Sequence, residues 1–444
     1  MYGETTGYRE VVPRKLTSYQ LKKHGKAEAY KYVMQPGGGP RPNQVGSVRD
    51  MVSSWKHWYR TKGLDRYGKF NTSGGLNTPY VLFKAKNVTD PLVRSQNWRK
   101  VRPIAPGTKH PMRVLLGKAG RAWYFAANQD REGQFAIPNC GDVPQFLETA
   151  HGDLLPKGEV ETLTYDIEGC FPNMPKEAIS LAMKEIAKRE QGRGHEGVWV
   201  PHAARKKCAW ENPTRSPRSG TWLPWDIMLE VLEFAAGNAY VRMPDSTILW
   251  QAEGIPMGDP LSPGMTIGTC AWMEREWMQG IAPEDKAFFR GGRYMDDIVL
   301  MLSKSERWDR TRFLNDFMAS ECYWPPLKLE AGTQGVFLET WFETSETGIR
   351  YRLKNDNEKE RKVWRYHHYY SDLPYQMKRA TLLATLRKVH RMASDASQLA
   401  ISALSKLDEF AQLRYPVGIR KFMCAIMARD TSDLTWRWVR KRQC

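Results

Sequence analysis

Two adjacent acids, Asp296 and Asp297, lie between Gly291-Gly292-Arg293-Tyr294-Met295 and the apolar run Ile298-Val299-Leu300-Met301-Leu302. No other stretch restricts the fold as tightly. A Gly-Gly approach, a polar pair and an apolar run predict a β-hairpin over 288–303 with both acids at its turn. Such a tip presents hard oxygen ligands of the kind Mg²⁺ takes. A solvated turn reads the same way in isolation, so the residues upstream decide between the two.

Two further blocks lie upstream. In Leu163-Thr164-Tyr165-Asp166-Ile167-Glu168-Gly169-Cys170-Phe171-Pro172-Asn173-Met174, the alternation from Val160 to Tyr165 predicts a strand that ends on an acid. A Phe comes five positions after that acid, and a helix from Pro175 to Lys188 follows with proline in its first turn. Gly254-Ile255-Pro256-Met257-Gly258-Asp259-Pro260-Leu261-Ser262-Pro263 is a Gly/Pro-punctuated loop running into an apolar helix over 263–280. Two strands that each deliver an acid can hold two divalent ions about 3.5–4 Å apart, which clamps the attacking and leaving oxygens of phosphoryl transfer.

A chain of 444 residues is long enough for two or three subdomains around a large core. Its formal charge of +18 favours a polyanionic partner, although a basic protein whose charge only keeps it soluble fits too. The excess is concentrated: residues 51–120 carry fourteen Lys or Arg against only Asp65 and Asp90. Seven scattered cysteines without a Cys-x-x-Cys pair argue against a zinc site and a disulfide framework and suit a reducing compartment. His195, His202 and Cys208 make only a loose cluster. No apolar leader opens the sequence, and no uncharged stretch approaches the ~18 residues of a membrane span. The expected setting is therefore intracellular (nuclear, cytoplasmic or within a particle), with no membrane.

Elsewhere, 189–225 is rich in Gly, Pro, Arg and Trp and reads as an inserted loop. Residues 226–237 read as a helix, a hairpin is expected around Met243-Pro244-Asp245, and short strands run to about 354. The apolar spacing from 376 to 414 predicts a nearly uninterrupted helix. Aromatic and basic residues interleave at Trp55-Lys56-His57-Trp58-Tyr59-Arg60 and at Trp364-Arg365-Tyr366-His367-His368-Tyr369-Tyr370, a pattern that suits base stacking or ordinary packing.

In their order, the three blocks resemble the A, B and C motifs of reverse transcriptases, and with flanking blocks the resemblance covers roughly 90–420. It implies an α+β right-hand polymerase with fingers, a palm of antiparallel sheet plus helices, and a helical thumb. The expected divisions are a basic arm at 1–50, fingers at 51–157, palm at 158–354, thumb at 355–430 and a basic tail at 431–444. The implied activity is RNA-directed DNA synthesis, extending a DNA primer on an RNA template with dNTPs and two Mg²⁺ ions, or Mn²⁺. The second block and the 371–377 stretch look most like the non-LTR, Penelope-like or telomerase-related lineages of retroelements. No room is expected after the thumb for an RNase H, integrase or endonuclease domain.

Position by position, the resemblance implies Asp166, Asp296 and Asp297 as catalytic, metal-binding acids, with the carbonyl of Ile167 as a further ligand. Phe171 would sit beneath the incoming sugar and exclude a 2′-hydroxyl. Met257 stands where many members have Gln, which weakens its assignment to the nucleotide beside Gly258, and Ser262 is expected to cap the following helix. Lys100, Arg102 and Arg113, near Lys109 and His110, would bind the triphosphate, and Lys328 is a candidate proton donor to pyrophosphate. Tyr294, Phe337 and Leu338 would meet primer or template. Lys378 and Arg379, with Arg387, Lys388 and Arg391, would face duplex phosphates. An RNA-directed RNA polymerase and a degenerate RNA-binding scaffold are the alternatives.

Overall fold

Acids far apart in sequence share one sheet. Strands Phe289–Tyr294, Asp297–Ser303, Val160–Ile167 and Leu329–Ala331 lie side by side in that order, each pair antiparallel. The structure, a computed structural model, describes residues 8–13, 34–36, 48–83, 101–129, 132–211, 219–354 and 366–443.

Strand alternation gives the sheet two faces. Ile298, Leu300 and Leu302, with Leu163 and Tyr165, pack into the largest core, which helices Lys176–Gly192 and Ser262–Gly280 complete. The first of these helices buries Ala178, Ile179, Ala182, Met183 and Ile186, the spacing of a one-sided helix. The second is buried at every residue from Gly264 to Arg275, as a helix enclosed on all sides must be. On the opposite face, Val160, Val299 and Met301 meet helix Val143–Leu154 and a small sheet of Val336–Phe337, Thr340–Ser345 and Gly348–Leu353. The expected α+β architecture of antiparallel sheet backed by helices is the one observed.

The glycines before the acids have a steric reason. Segment 135–137 crosses the hairpin's edge strand, with the Phe135 carbonyl accepting from Arg293 N and the Arg293 carbonyl from Ile137 N at 2.7 Å. A Cβ on Gly291 would lie 2.5 Å from the Phe135 ring, and one on Gly292 would lie 2.7 Å from the Phe146 ring.

Several expectations change. The supposed loop at 189–225 holds a ribbon in which Gly197–Pro201 pairs with Gly220–Pro224, because Val198-Trp199-Val200 and Thr221-Trp222-Leu223 supply two short strand-forming runs. Its residues 212–218 lie outside the described ones. Pro175 precedes helix Lys176–Gly192 rather than entering its first turn. The long helix over 376–414 is two, Tyr375–Arg391 and Ala396–Gln412, since Asp395 Oδ1 accepts from Ser397 N at 2.8 Å and Gln398 N at 3.0 Å and starts a new N-terminus. The expected basic tail folds as helix Thr435–Lys441 with Trp436 fully buried. With Val417–Thr431 it closes a separate core around Leu386, Leu407, Phe410 and Met423. Within the arm, Tyr8–Pro13 pairs with Met34–Pro36 and with Ile248–Gln251. Among the described residues, no helix is long and apolar enough to cross a membrane.

Candidate active site

The strand register assembles the acids. Asp166 and Asp297 are direct cross-strand partners, and Tyr294 pairs with Asp297 across a turn made of Met295 and Asp296. Directly opposed residues in an antiparallel ladder share a face, with Cβ atoms roughly 4.5–5.5 Å apart. Asp166 and Asp297 thus project together, and Asp296 sits beside them at the apex. Ile167 N donates to the Asp296 carbonyl at 2.9 Å, locking the two strand ends together. All three acids are half-buried. Among the described residues, no three His, Cys, Asp or Glu side chains form a ready metal cage. Two facing carboxylates still suit Mg²⁺, which takes one or two carboxylates and fills its shell with water and substrate phosphates.

A buried network missed by the sequence reading supports the turn from below. Met295 adopts φ +58°, a left-handed conformation that costs energy in a residue with a side chain. Arg293 Nη1 donates to the Met295 carbonyl at 3.0 Å, and the same guanidinium is paired with Glu274, both side chains fully buried. Glu274 also accepts from Phe135 N at 2.8 Å and from the Tyr323 hydroxyl at 2.7 Å. The signal available in the sequence was a Glu-Arg-Glu run at 274–276 after an apolar stretch of helix, together with an Arg just before the Asp pair.

The second block ties the other parts to the acids. Gly254 (φ +69°) packs so tightly that a Cβ would lie 2.2 Å from the Pro172 carbonyl oxygen, and Ile255 N donates to the Phe171 carbonyl at 2.8 Å. Phe171 is thereby fixed, half-buried, at the end of the Asp166 strand. On the loop's other side, Ala105 N donates to the Met257 carbonyl at 2.6 Å, and a Cβ on Gly258 would lie 3.1 Å from Ile104. The strand Val101–Ile104 carrying exposed Arg102 is therefore joined to the block by backbone. Ser262 is not the expected cap: it is the first helical residue, its hydroxyl donates to the Pro256 carbonyl at 2.6 Å, and Asp259 Oδ1 accepts from Leu261 N at 2.8 Å. Burial pushes the Asp259 carboxyl up to about 6, against the pull of that amide.

The remaining predicted residues divide. Arg113 is exposed at the first turn of Arg113–Ala127, and Lys328 is exposed beside the Asp166 strand, its carbonyl accepting from Glu168 N at 2.8 Å. Lys100 lies outside the described residues. His110 is no cation for a triphosphate: it stacks on Trp55 at 4.9 Å, and burial lowers its imidazole to about 4. Burial and a bond with Cys140 push the Tyr294 hydroxyl up to about 12. Phe337 is a core residue at 2% exposure, so its side chain offers nothing to a primer, whereas half-buried Leu338 occupies the following turn at φ +54°. Lys378 points inward, donating to the Ser371 carbonyl at 2.6 Å, and so does not face phosphate. Arg379 lies over the rings of Tyr375 and Phe422, at 5.6 and 5.2 Å. Arg387 and Lys388 are engaged by Asp430 and Glu339. Packing also claims Trp55, Trp58 and Tyr59.

The sequence matches no protein-family model and no curated protein. Among solved structures it is similar to the telomerase of Candida albicans in complex with a TWJ fragment of telomeric RNA, with 10% identity, a TM-score of 0.49 and coverage of 98% of this chain and 74% of that one. A Candida tropicalis telomerase truncated from its C-terminal domain gives 13% identity and a TM-score of 0.36 over 51% of this chain and 43% of that one. The Sicinivirus 3Dpol RNA-dependent RNA polymerase gives 12% and 0.33, over 60% of this chain and 49% of that one. This chain thus spans less than half of the last two, and at these scores none of the three identifies it.

Proposed function

We propose that this protein is an RNA-directed DNA polymerase of reverse-transcriptase type, acting by nucleotidyl transfer. The observation that carries the reading is the register that sets Asp297 opposite Asp166 at the end of a sheet, with Phe171 and the strand carrying Arg102 joined to that same end through one loop. Asp166 and Asp297 would hold Mg²⁺, with Asp296 beside them. The metal, when bound, supplies Lewis-acid stabilisation of the attacking 3′-hydroxyl and the leaving pyrophosphate. Arg102 and Arg113 provide exposed positive charge for the triphosphate, Arg by its bidentate fork. Phe171, whose backbone carbonyl accepts from Ile255 N, supports dNTP use, because its apolar ring offers no hydrogen bond to a 2′-hydroxyl and would exclude one sterically. The charge of +18 supports an RNA template and a DNA primer as partners.

Primer extension on a primed RNA template tests the reading, with Asp166→Asn and Asp297→Asn as controls. Wild-type extension with dNTPs well above both variants is expected. Extension no greater than theirs would refute the polymerase and leave an RNA-binding scaffold, and equal or better use of rNTPs would instead make it an RNA-directed RNA polymerase.

A further inference from the structure

Helices Val417–Thr431 and Thr435–Lys441 enclose a groove of about 680 Å³. Its walls carry Lys421 and Arg429 from the first helix and Arg437, Arg440 and Lys441 from the second. The spacing explains the convergence: 437, 440 and 441 fall on one helical face, as do 421, 425, 428 and 429. Trp436 and Val439 of the short helix are buried in the core, whereas Arg437, Arg440 and Lys441 are exposed. Arg429 is paired with Asp430. Lys421, Arg437, Arg440 and Lys441 form no ion pair among the described residues. Five like charges in one groove repel one another, and among the described residues no carboxylate forms an ion pair with four of them. Ala425 and Ala428 make the floor between the walls, short side chains that let a bulky anion sit deep. Beside the cation row stands Trp438, 45% exposed, with the Arg442 guanidinium 5.1 Å from its ring centroid.

We propose that this groove is a second nucleic-acid site that grips single-stranded RNA away from the polymerase centre, phosphates between the two cationic walls and a base stacked on Trp438. Its residues lie on the two helices that close the separate helical core, and none is on the strands that carry Asp166 and Asp297. A single strand is favoured over a duplex because the cations face one shared volume. A thin, flexible chain can enter it, whereas a rigid duplex offers its phosphates only from outside. The exposed ring gives an unpaired base a stacking surface that duplex bases, already stacked, do not need.

The test is binding of the full-length protein to a fluorescently labelled unstructured RNA, without Mg²⁺ or nucleotides, across a salt series. Arg437→Gln/Arg440→Gln/Lys441→Gln is expected to lower affinity about tenfold or more and to reduce the salt slope by about 2, at ~0.7 per lost phosphate contact. Lys421→Gln on the opposite wall, and Trp438→Ala, are each expected to weaken binding severalfold. An unchanged thermal melt distinguishes lost contact from lost fold. Extension of a short primed template remains at wild-type level in these variants, so the groove and the polymerase centre fail or succeed separately. Unchanged RNA affinity and salt slope in the triple variant would overturn the proposal. So would an equal loss for duplex RNA, or a loss confined to vesicles of anionic phospholipid.

Discussion

Glu274→Gln removes one charge from the buried pair beneath the catalytic turn while keeping its volume. The Arg293 guanidinium is fully buried, and burial alone disfavours its charge, which the Glu274 carboxylate restores. Without that carboxylate, the cation is left uncompensated, and breaking a buried pair in this way costs about 3–5 kcal/mol. The amide also turns one of the two acceptor oxygens into an NH₂ donor, set against either Phe135 N or the Tyr323 hydroxyl, each of which donates to Glu274. At about 1 °C per kcal/mol for a chain of 444 residues, the thermal midpoint should fall by roughly 3–5 °C. Extension should fall as well, because Arg293 anchors the Met295 carbonyl that shapes the Asp296 turn. Replacing both partners with apolar residues, Glu274→Leu/Arg293→Met, separates the two effects. Stability should largely return, since well-packed hydrophobes replace buried pairs at little cost, but extension should stay low because the Met295 carbonyl has lost its donor. Circular dichroism melts and primer extension on the same preparations provide both readings. A Glu274→Gln melt within a degree of wild type would refute the stability reasoning, and full extension by the double variant would refute the positioning role.

Asp259 provides a pH-dependent test. Its folded carboxyl is raised to about 6, so the stability it contributes is complete below the unfolded value near 3.9 and is lost as pH rises through 6. The stability of wild type relative to Asp259→Asn should therefore decline by about 1 kcal/mol, allowing for partial exposure, between pH 4.5 and 7 in paired melts. A pH-independent difference would show the carboxyl to be unperturbed. Lys378→Gln should destabilise the helical unit by about 1.5–3 kcal/mol through its lost charge-assisted bond to the Ser371 carbonyl. The salt slope of duplex binding should not change, whereas a drop near 0.9 would restore Lys378 to the phosphates. Phe171→Val should raise rNTP use relative to dNTP by about tenfold or more, worth ~1.4 kcal/mol of discrimination in single-nucleotide incorporation. An unchanged ratio would remove Phe171 from sugar selection.

Local chemistry was readable without coordinates. The hairpin at 288–303, the strand carrying Asp166 and the helix near Pro263 follow from short-range periodicity and turn residues and were observed, although the strand runs on to Ile167, the helix starts at Ser262, and Asp297, expected at the turn, opens the second strand. Where one line of residues served two purposes, the sequence misled. The Val198 and Thr221 runs were masked by the Gly, Pro and Arg around them. Asp395, read as part of a helix, is a cap, because capping depends on one side chain meeting two amides.

Residue type and spacing brought forward Asp166, Asp296 and Asp297 as candidate acids and a Phe five positions after the first, and the resemblance supplied the roles of those residues and of Arg102. Tertiary structure alone decided the register that makes Asp297, rather than Asp296, the direct partner of Asp166. It turned Lys378 and Phe337 inward, and it paired Glu274 with Arg293 under the turn. The reason is physical. Periodicity records which face of an element is apolar, but which charge a buried side chain meets is set by elements brought together from distant parts of the chain. The acids announce themselves locally, and their support comes from residues whose role exists only once the core has closed around them.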